Sequence, residues 1–324
     1  MRLRWAWLSL GRFISKHLVL LIPLCLVIAI FAPSVFSPLR PLVPTLFALM
    51  TFQSSLGNRI ENFRRALAHP APIICVIAFA HVILPLAAWL LGRLVFGSDP
   101  DIVAGIVLEY SVPIATTMVM WVSLYEGSTA TALAALMLST LIAPFSIPAT
   151  LQILLGAQVH VETWGMIRDM LYMTAIPALA ALAFNELSHG WASEHVSQPL
   201  APAARIALLL IVTTNTTSIS DYILHLTPQL GAVLVFIGLF AAGSYLSGIL
   251  VARATHQPRA TFTPVAFGCG MRNISAGAVL AAQYFPAATI FPVIVGTLFQ
   301  QILAALFGKL MKRQLDRMDD TPAR

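Results

Sequence analysis

Ten apolar runs, each long enough to cross a bilayer, succeed one another between residues 17 and 311, and they leave few folds open. A spanning helix needs about 20 apolar residues, and in hydrocarbon a backbone must satisfy its own polar groups, which a helix does. Punctuation by proline, glycine and charge places the runs at 17–33, 41–57, 71–96, 102–125, 129–155, 165–187, 202–220, 230–252, 262–285 and 287–311. Only 10% of the 324 residues are charged, against about 25% in soluble domains. The fold class is therefore all-α and polytopic, with the lipid bilayer as its first partner. The seventh run ends in TTNTTSISDY from Thr213, which is either a stretch lining water or a helix end.

Residues 1–16 carry four cations beside Trp5, Trp7 and Phe13, which suits a helix lying in the membrane interface. No small-residue cleavage site follows the first apolar run, as a secretory signal requires. With the N-terminus cytoplasmic, fourteen of the 19 Lys and Arg fall on that side, and only Arg40, Arg93 and Arg168 fall on the other. Both termini are then cytoplasmic in a cell membrane, and the number of spans is even. The net charge of +6 is thus a topology signal and not a nucleic-acid footprint.

Ten spans divide into five plus five, and an odd number per half forces the halves to be inverted. The expected organisation is an interfacial segment 1–16, five-helix repeats over 17–155 and 165–311, and a cytoplasmic tail over 312–324. Pro113 interrupts the fourth span, and Gly268-Cys269-Gly270 interrupts the ninth. Interrupted spans at corresponding places in two halves point to a transporter binding site. Pro113 removes a helix hydrogen bond and frees carbonyls near Glu109 and Tyr110 for an ion or solute.

These two spans also hold the most unusual polar residues: Glu109, Thr116 and Thr117 in one, Arg272, Asn273 and Ser275 in the other. A guanidinium at membrane depth costs several kcal/mol unless it faces protein or a water-filled cavity. Two readings of Arg272 stand side by side: a structural ion pair with Glu109, and a cavity-facing cation that attracts an anionic solute. His81 lies mid-span; a lone buried histidine is more often a hydrogen-bonded core residue than a proton carrier. Of Gln300 and Gln301, one side chain is expected to pack between helices and the other to face the cavity. Gln53, Ser54 and Ser55 read as a membrane interface. The three cysteines all lie in apolar segments, so neither a disulfide framework nor a metal cluster is suggested. No GxSxG, HExxH, CxxC or Walker sequence occurs, which argues against an enzyme, and no cofactor is expected.

Around these breaks the chain resembles the bile acid:sodium symporter family. The likeness rests on ENFRRALAHP (61–70), on PIATTMVMWVSLYEG (113–127) with the apolar run ending in Ala143-Pro144, on GCGMRNISAG (268–277) and on TLFQQILAALFG (297–308). It implies panel and core domains, with the fourth and ninth helices crossing at their breaks, and amphipathic or organic anions driven by two sodium ions. Positions matching the family's polar substrate cavity remain polar, at Thr116, Asn273, Gln300 and Gln301. Those matching its sodium ligands do not: they fall on Ala80, Met118, Val119, Ala132, Leu136, Gly268 and Arg272. A one-residue shift of register brings Thr117 or His81 nearer without restoring the set. These replacements count against sodium coupling. The guanidinium can stand in for the ion's charge, giving a sodium-independent carrier or a proton-coupled one using Glu109 or His81. The related arsenite exporters rely on a fourth-span cysteine, and none lies between Asp101 and Gly127.

The sequence thus describes a secondary transporter of small organic anions working by alternating access. A non-transporting sensor or scaffold and a passive organic-anion channel are the alternatives.

Overall fold

The computed structural model describes residues 2–319 other than 69, 157, 158, 160, 221–223 and 226. In chain order the helices are α1 (Arg2–Phe31), α2 (Pro33–Ser55), α3 (Ala71–Phe96), α4 (Pro100–Ser111), α5 (Thr117–Leu124), α6 (Thr129–Leu155), α7 (Thr163–Leu187), α8 (Ser197–Ile219), α9 (Pro228–Ala254), α10 (Arg259–Gly270), α11 (Ile274–Tyr284) and α12 (Ala287–Asp319). Short helices at Ile60–Leu67 and Trp191–His195 sit in connections. Seven of these helices are long and apolar enough to cross a membrane, and α1 makes an eighth if its two arms form one span. Those arms, Trp5–Leu18 and Leu20–Phe31, meet at 84°. The expected fourth and ninth spans fail the length criterion because each is a pair of short helices, α4–α5 and α10–α11. At the C-terminus the helix runs on through the predicted tail to Asp319, and 320–324 lie outside the described residues.

Both breaks follow from local chemistry. Val112 precedes Pro113, whose ring pushes the preceding residue out of the helical region; Val112 accordingly adopts φ −66, ψ 158. After Gly268-Cys269-Gly270, Met271 is extended at φ −98, ψ 131. Extended backbone at membrane depth strands polar groups, at a cost of several kcal/mol each. Here the two segments cross and pair, with Ile114 and Arg272 forming an isolated antiparallel bridge. Asn273 N donates to the Pro113 carbonyl at 2.7 Å, and Ala115 N donates to the Met271 carbonyl at 3.4 Å.

Around this crossing the helices sort into two bodies. Helices α1, α2, α7 and α8 pack on one another, while α3–α6 and α9–α12 gather around the crossing. The larger body has the deeper core, with Ile106, Leu108, Met118, Val265 and Phe267 fully buried. Large apolar side chains such as Leu94, Ile153, Leu187 and Leu239 face outward, as a lipid-facing surface requires. The polar second half of the seventh run is interior: Thr213, Thr214, Asn215, Thr216 and Thr217 are all buried, and Arg40 Nη2 donates to Thr217 Oγ1 at 3.2 Å. Asp221 and Tyr222 at its end lie outside the described residues.

Close helix approach depends on small residues where no side chain fits. A Cβ on Gly105 of α4 would stand 2.9 Å from Pro292 Cγ of α12 and closer still to the Thr289 carbonyl. Gly243 of α9 has nothing within 4 Å of the same position. Gly105→Ala should therefore lose about 1–3 kcal/mol through overpacking, whereas Gly243→Ala should be neutral or gain up to about 1 kcal/mol from helix propensity. Thermal unfolding of the two purified variants in detergent measures the contrast, and equal midpoints would contradict the α4–α12 seam.

Candidate functional site

The crossing presents two helix N-termini side by side. Thr116 is the N-cap of α5 and makes no capping bond through its hydroxyl. Asn273 is the N-cap of α11, and its Oδ1 accepts from Ala276 N at 3.3 Å. Both residues, with Pro113, line a cavity of about 30 Å³ between the two helical bodies. Its remaining polar lining comes from Thr51, Ser54 and Ser55 at the end of α2, Asn58 in the loop after it, Thr140 of α6 and Thr174 of α7. Aligned peptide dipoles leave about half a positive charge at a helix N-terminus, which suits the site to an anionic group.

The hydroxyl side of this cavity escaped the sequence reading, in which Ser54 and Ser55 mark a membrane interface. A signal was present. Positions 51, 54 and 55 follow the i, i+3, i+4 spacing of one helical face, so together they form a polar stripe that no single residue announces, and Asn58 continues it just beyond the helix.

Arg272 stands beside the cavity but does not line it. The residue is only 2% exposed, and its side chain turns back onto α10, where Nη2 donates to the carbonyls of Cys269 at 2.7 Å and Gly268 at 3.3 Å. Those are last-turn carbonyls, which carry the negative end of the helix dipole. The Nε and Nη1 atoms are buried without a partner. The ion pair with Glu109 is absent, although both residues sit in the broken spans. Glu109 is 2% exposed on α4, with Oε1 packed against Gly296 of α12 and Oε2 unpartnered. The two side chains leave the crossing in different directions.

Gln300 and Gln301 hold the crossing together and are not among the cavity-lining residues. Gln300 Oε1 accepts from Arg272 N at 2.9 Å. Gln301 Oε1 accepts from Trp121 Nε1 at 3.0 Å, and its Nε2 donates to Thr117 Oγ1 at 3.3 Å. His81 sits in a π-helical turn, Phe79–Ile83, with both ring nitrogens engaged: Nε2 with Ser139 Oγ at 2.8 Å and Nδ1 with Ser146 Oγ at 2.9 Å. Ser139 Oγ in turn accepts from Ile114 N at 3.0 Å. The histidine thus braces the fourth-span break through one serine.

This geometry has relatives. Residues 43–226 match the family model described as Sodium Bile acid symporter family. The chain is 33% identical over 294 residues to a Bacillus subtilis (strain 168) protein named "Uncharacterized protein YbaS", covering 91% of this chain and 96% of that one. The chain belongs to the sodium bile acid symporter family. It is also 22% identical to the "Uncharacterized sodium-dependent transporter YocS" of the same organism, over 87% of this chain and 88% of that protein. An Arabidopsis thaliana relative, "Probable sodium/metabolite cotransporter BASS5, chloroplastic", is 25% identical over 80% of this chain and 65% of its own length. Family membership indicates a membrane transporter of the sodium-dependent kind.

Among the described residues no group of three or more His, Cys, Asp and Glu side chains is placed to hold a metal ion. The serine brace gives a direct test of how the family's crossing is held here. Ser139→Ala leaves the Ile114 amide and the His81 ring short of a partner and should cost about 1–3 kcal/mol, against a smaller loss for Ser146→Ala, which touches His81 alone. Differential scanning fluorimetry on the two variants reads the difference; equal losses would detach His81 from the break.

Proposed function

We propose that this chain is a secondary transporter that carries small organic anions across the cell membrane by alternating access, with ten spans in two inverted five-helix repeats. The observation that carries the proposal is the pair of helix N-termini, capped by Thr116 and Asn273, that converge on one polar cavity. Half-helix N-termini aimed at an anionic substrate group are a recurring device of transporters built from inverted repeats. The names of the relatives, a sodium-dependent transporter and a sodium/metabolite cotransporter, point to the same class of activity.

The cavity's size supports the moving part of the proposal. At about 30 Å³ it has room for roughly one water, so a metabolite enters only if the α1–α2–α7–α8 body shifts away from the crossing. The polar stripe on α2 then forms one wall of a widening cleft, while Thr116 and Asn273 stay on the other. Substrate charge is met by peptide dipoles and hydroxyls, and nothing in the site calls for covalent chemistry.

Proteoliposomes loaded with purified protein and offered labelled small mono- and dicarboxylates test the proposal. Accumulation above the external concentration under an imposed gradient is the expected result. Uptake that stops at equal concentrations would indicate a passive channel, and no flux of any anion would indicate a sensor or scaffold. Thr116→Val and Asn273→Ala should each raise the half-saturating concentration about 10–100-fold, the worth of a hydrogen bond to a charged group. They should leave the melting temperature within a few degrees of the parent.

A further inference from the structure

Four of the positions where the resemblance implies cation ligands carry no side-chain oxygen and are buried. Ala80, Met118 and Ala132 are fully buried and offer only methyl and thioether groups. Met118 Sδ lies 3.3 Å from where a Cβ on Gly268 would be. Leu136 is buried and apolar. A hard monovalent cation needs oxygen, and the end of α10 offers the carbonyl of Gly270, which accepts from Ser244 Oγ at 3.4 Å, and those of Gly268 and Cys269. The latter two already accept from Arg272 Nη2. The residues present therefore do not fit a sodium ion.

A positive charge is still required. The last-turn carbonyls of α10 end at membrane depth, next to extended backbone, and the negative end of a helix dipole there needs a cation or donors. Among the described residues no carboxylate forms an ion pair with Arg272, and its Nε and Nη1 have no hydrogen-bond partner. Its backbone amide is pinned by Gln300, so the side chain has a fixed root from which to reach them.

We infer that Arg272 is a resident cation, built into the chain at the place where relatives named as sodium-dependent would take up a mobile one. The crossing is complete without sodium, and the carbonyls of Gly268 and Cys269 become a cation site only when the guanidinium is removed. This deepens the transporter reading, but its test is a binding measurement that needs no cargo. A failed search for the transported anion would leave the test untouched.

The test is a thermal titration of the full chain in detergent at constant ionic strength, with sodium, potassium or choline chloride. The parent protein should show the same midpoint in all three salts, and so should Arg272→Lys, which keeps a cation within reach of the carbonyls. Arg272→Gln should melt lower in choline and recover by about 2–4 °C, saturably and in preference for sodium, as a bound ion stabilises the folded state. A saturable sodium-specific rise in the parent would overturn the inference, as would a folded Arg272→Gln protein indifferent to sodium. If Arg272→Gln is not recovered in a folded form, the parent titration decides alone: flat curves support the inference and a saturable rise rejects it.

Discussion

Two short stretches of extended backbone meeting inside the membrane set the terms for the rest of this structure. Neither stretch is tolerable alone, since a bilayer offers no water to satisfy stranded amides and carbonyls. Each supplies what the other lacks through the Asn273–Pro113 and Ala115–Met271 hydrogen bonds. What remains is met from three sides: Ser139 of α6 takes the Ile114 amide, Gln300 of α12 takes the Arg272 amide, and the Arg272 side chain covers the end of α10. These bonds tie the two broken spans to each other and to α6 and α12. The four-helix body is not party to them, and the polar cavity lies between it and the crossing.

Breaking two helices at one point also sorts charge. Each break yields an N-terminus and a C-terminus, with opposite partial charges. The N-termini of α5 and α11 open onto the cavity, with Thr116 and Asn273 at their caps. The C-terminus of α10 is turned away from it and covered by a guanidinium. Anion-seeking and cation-seeking ends therefore lie within one crossing and serve different partners. The family's scaffold is kept in this chain, while the cation-seeking end is closed by a side chain.

Much of this was legible in the residues because the responsible chemistry is local. A proline inside an apolar run has one geometric consequence, and Gly-Cys-Gly before a buried arginine is hard to reconcile with an unbroken helix. Most of the long helices follow the apolar runs to within a few residues for the same reason, although α2 starts well before its run and α12 continues well past its own. What sequence could not resolve depends on direction. Glu109 and Arg272 looked like partners because they share the broken spans, but one side chain points to α12 and the other back along α10. One of Gln300 and Gln301 was expected to face the cavity, and the resemblance implied both; instead both are engaged by neighbouring helices. The hydroxyl stripe of α2 was hidden for the opposite reason, since serines and threonines near a helix end are ordinary until their common face is known.

The immobility of the guanidinium has an electrical consequence. Mobile cations that travel with an anionic cargo offset its charge: one leaves a monoanion neutral, and two leave the complex positive. A cation tethered to α10 cannot leave with the cargo, and a monoanion moving alone carries its full charge through the field. That charge is worth about 2.3 kcal/mol per 100 mV, and an inside-negative membrane pushes it outward. If the cargo is such an anion, a cation built into the chain leaves its movement coupled to the membrane voltage.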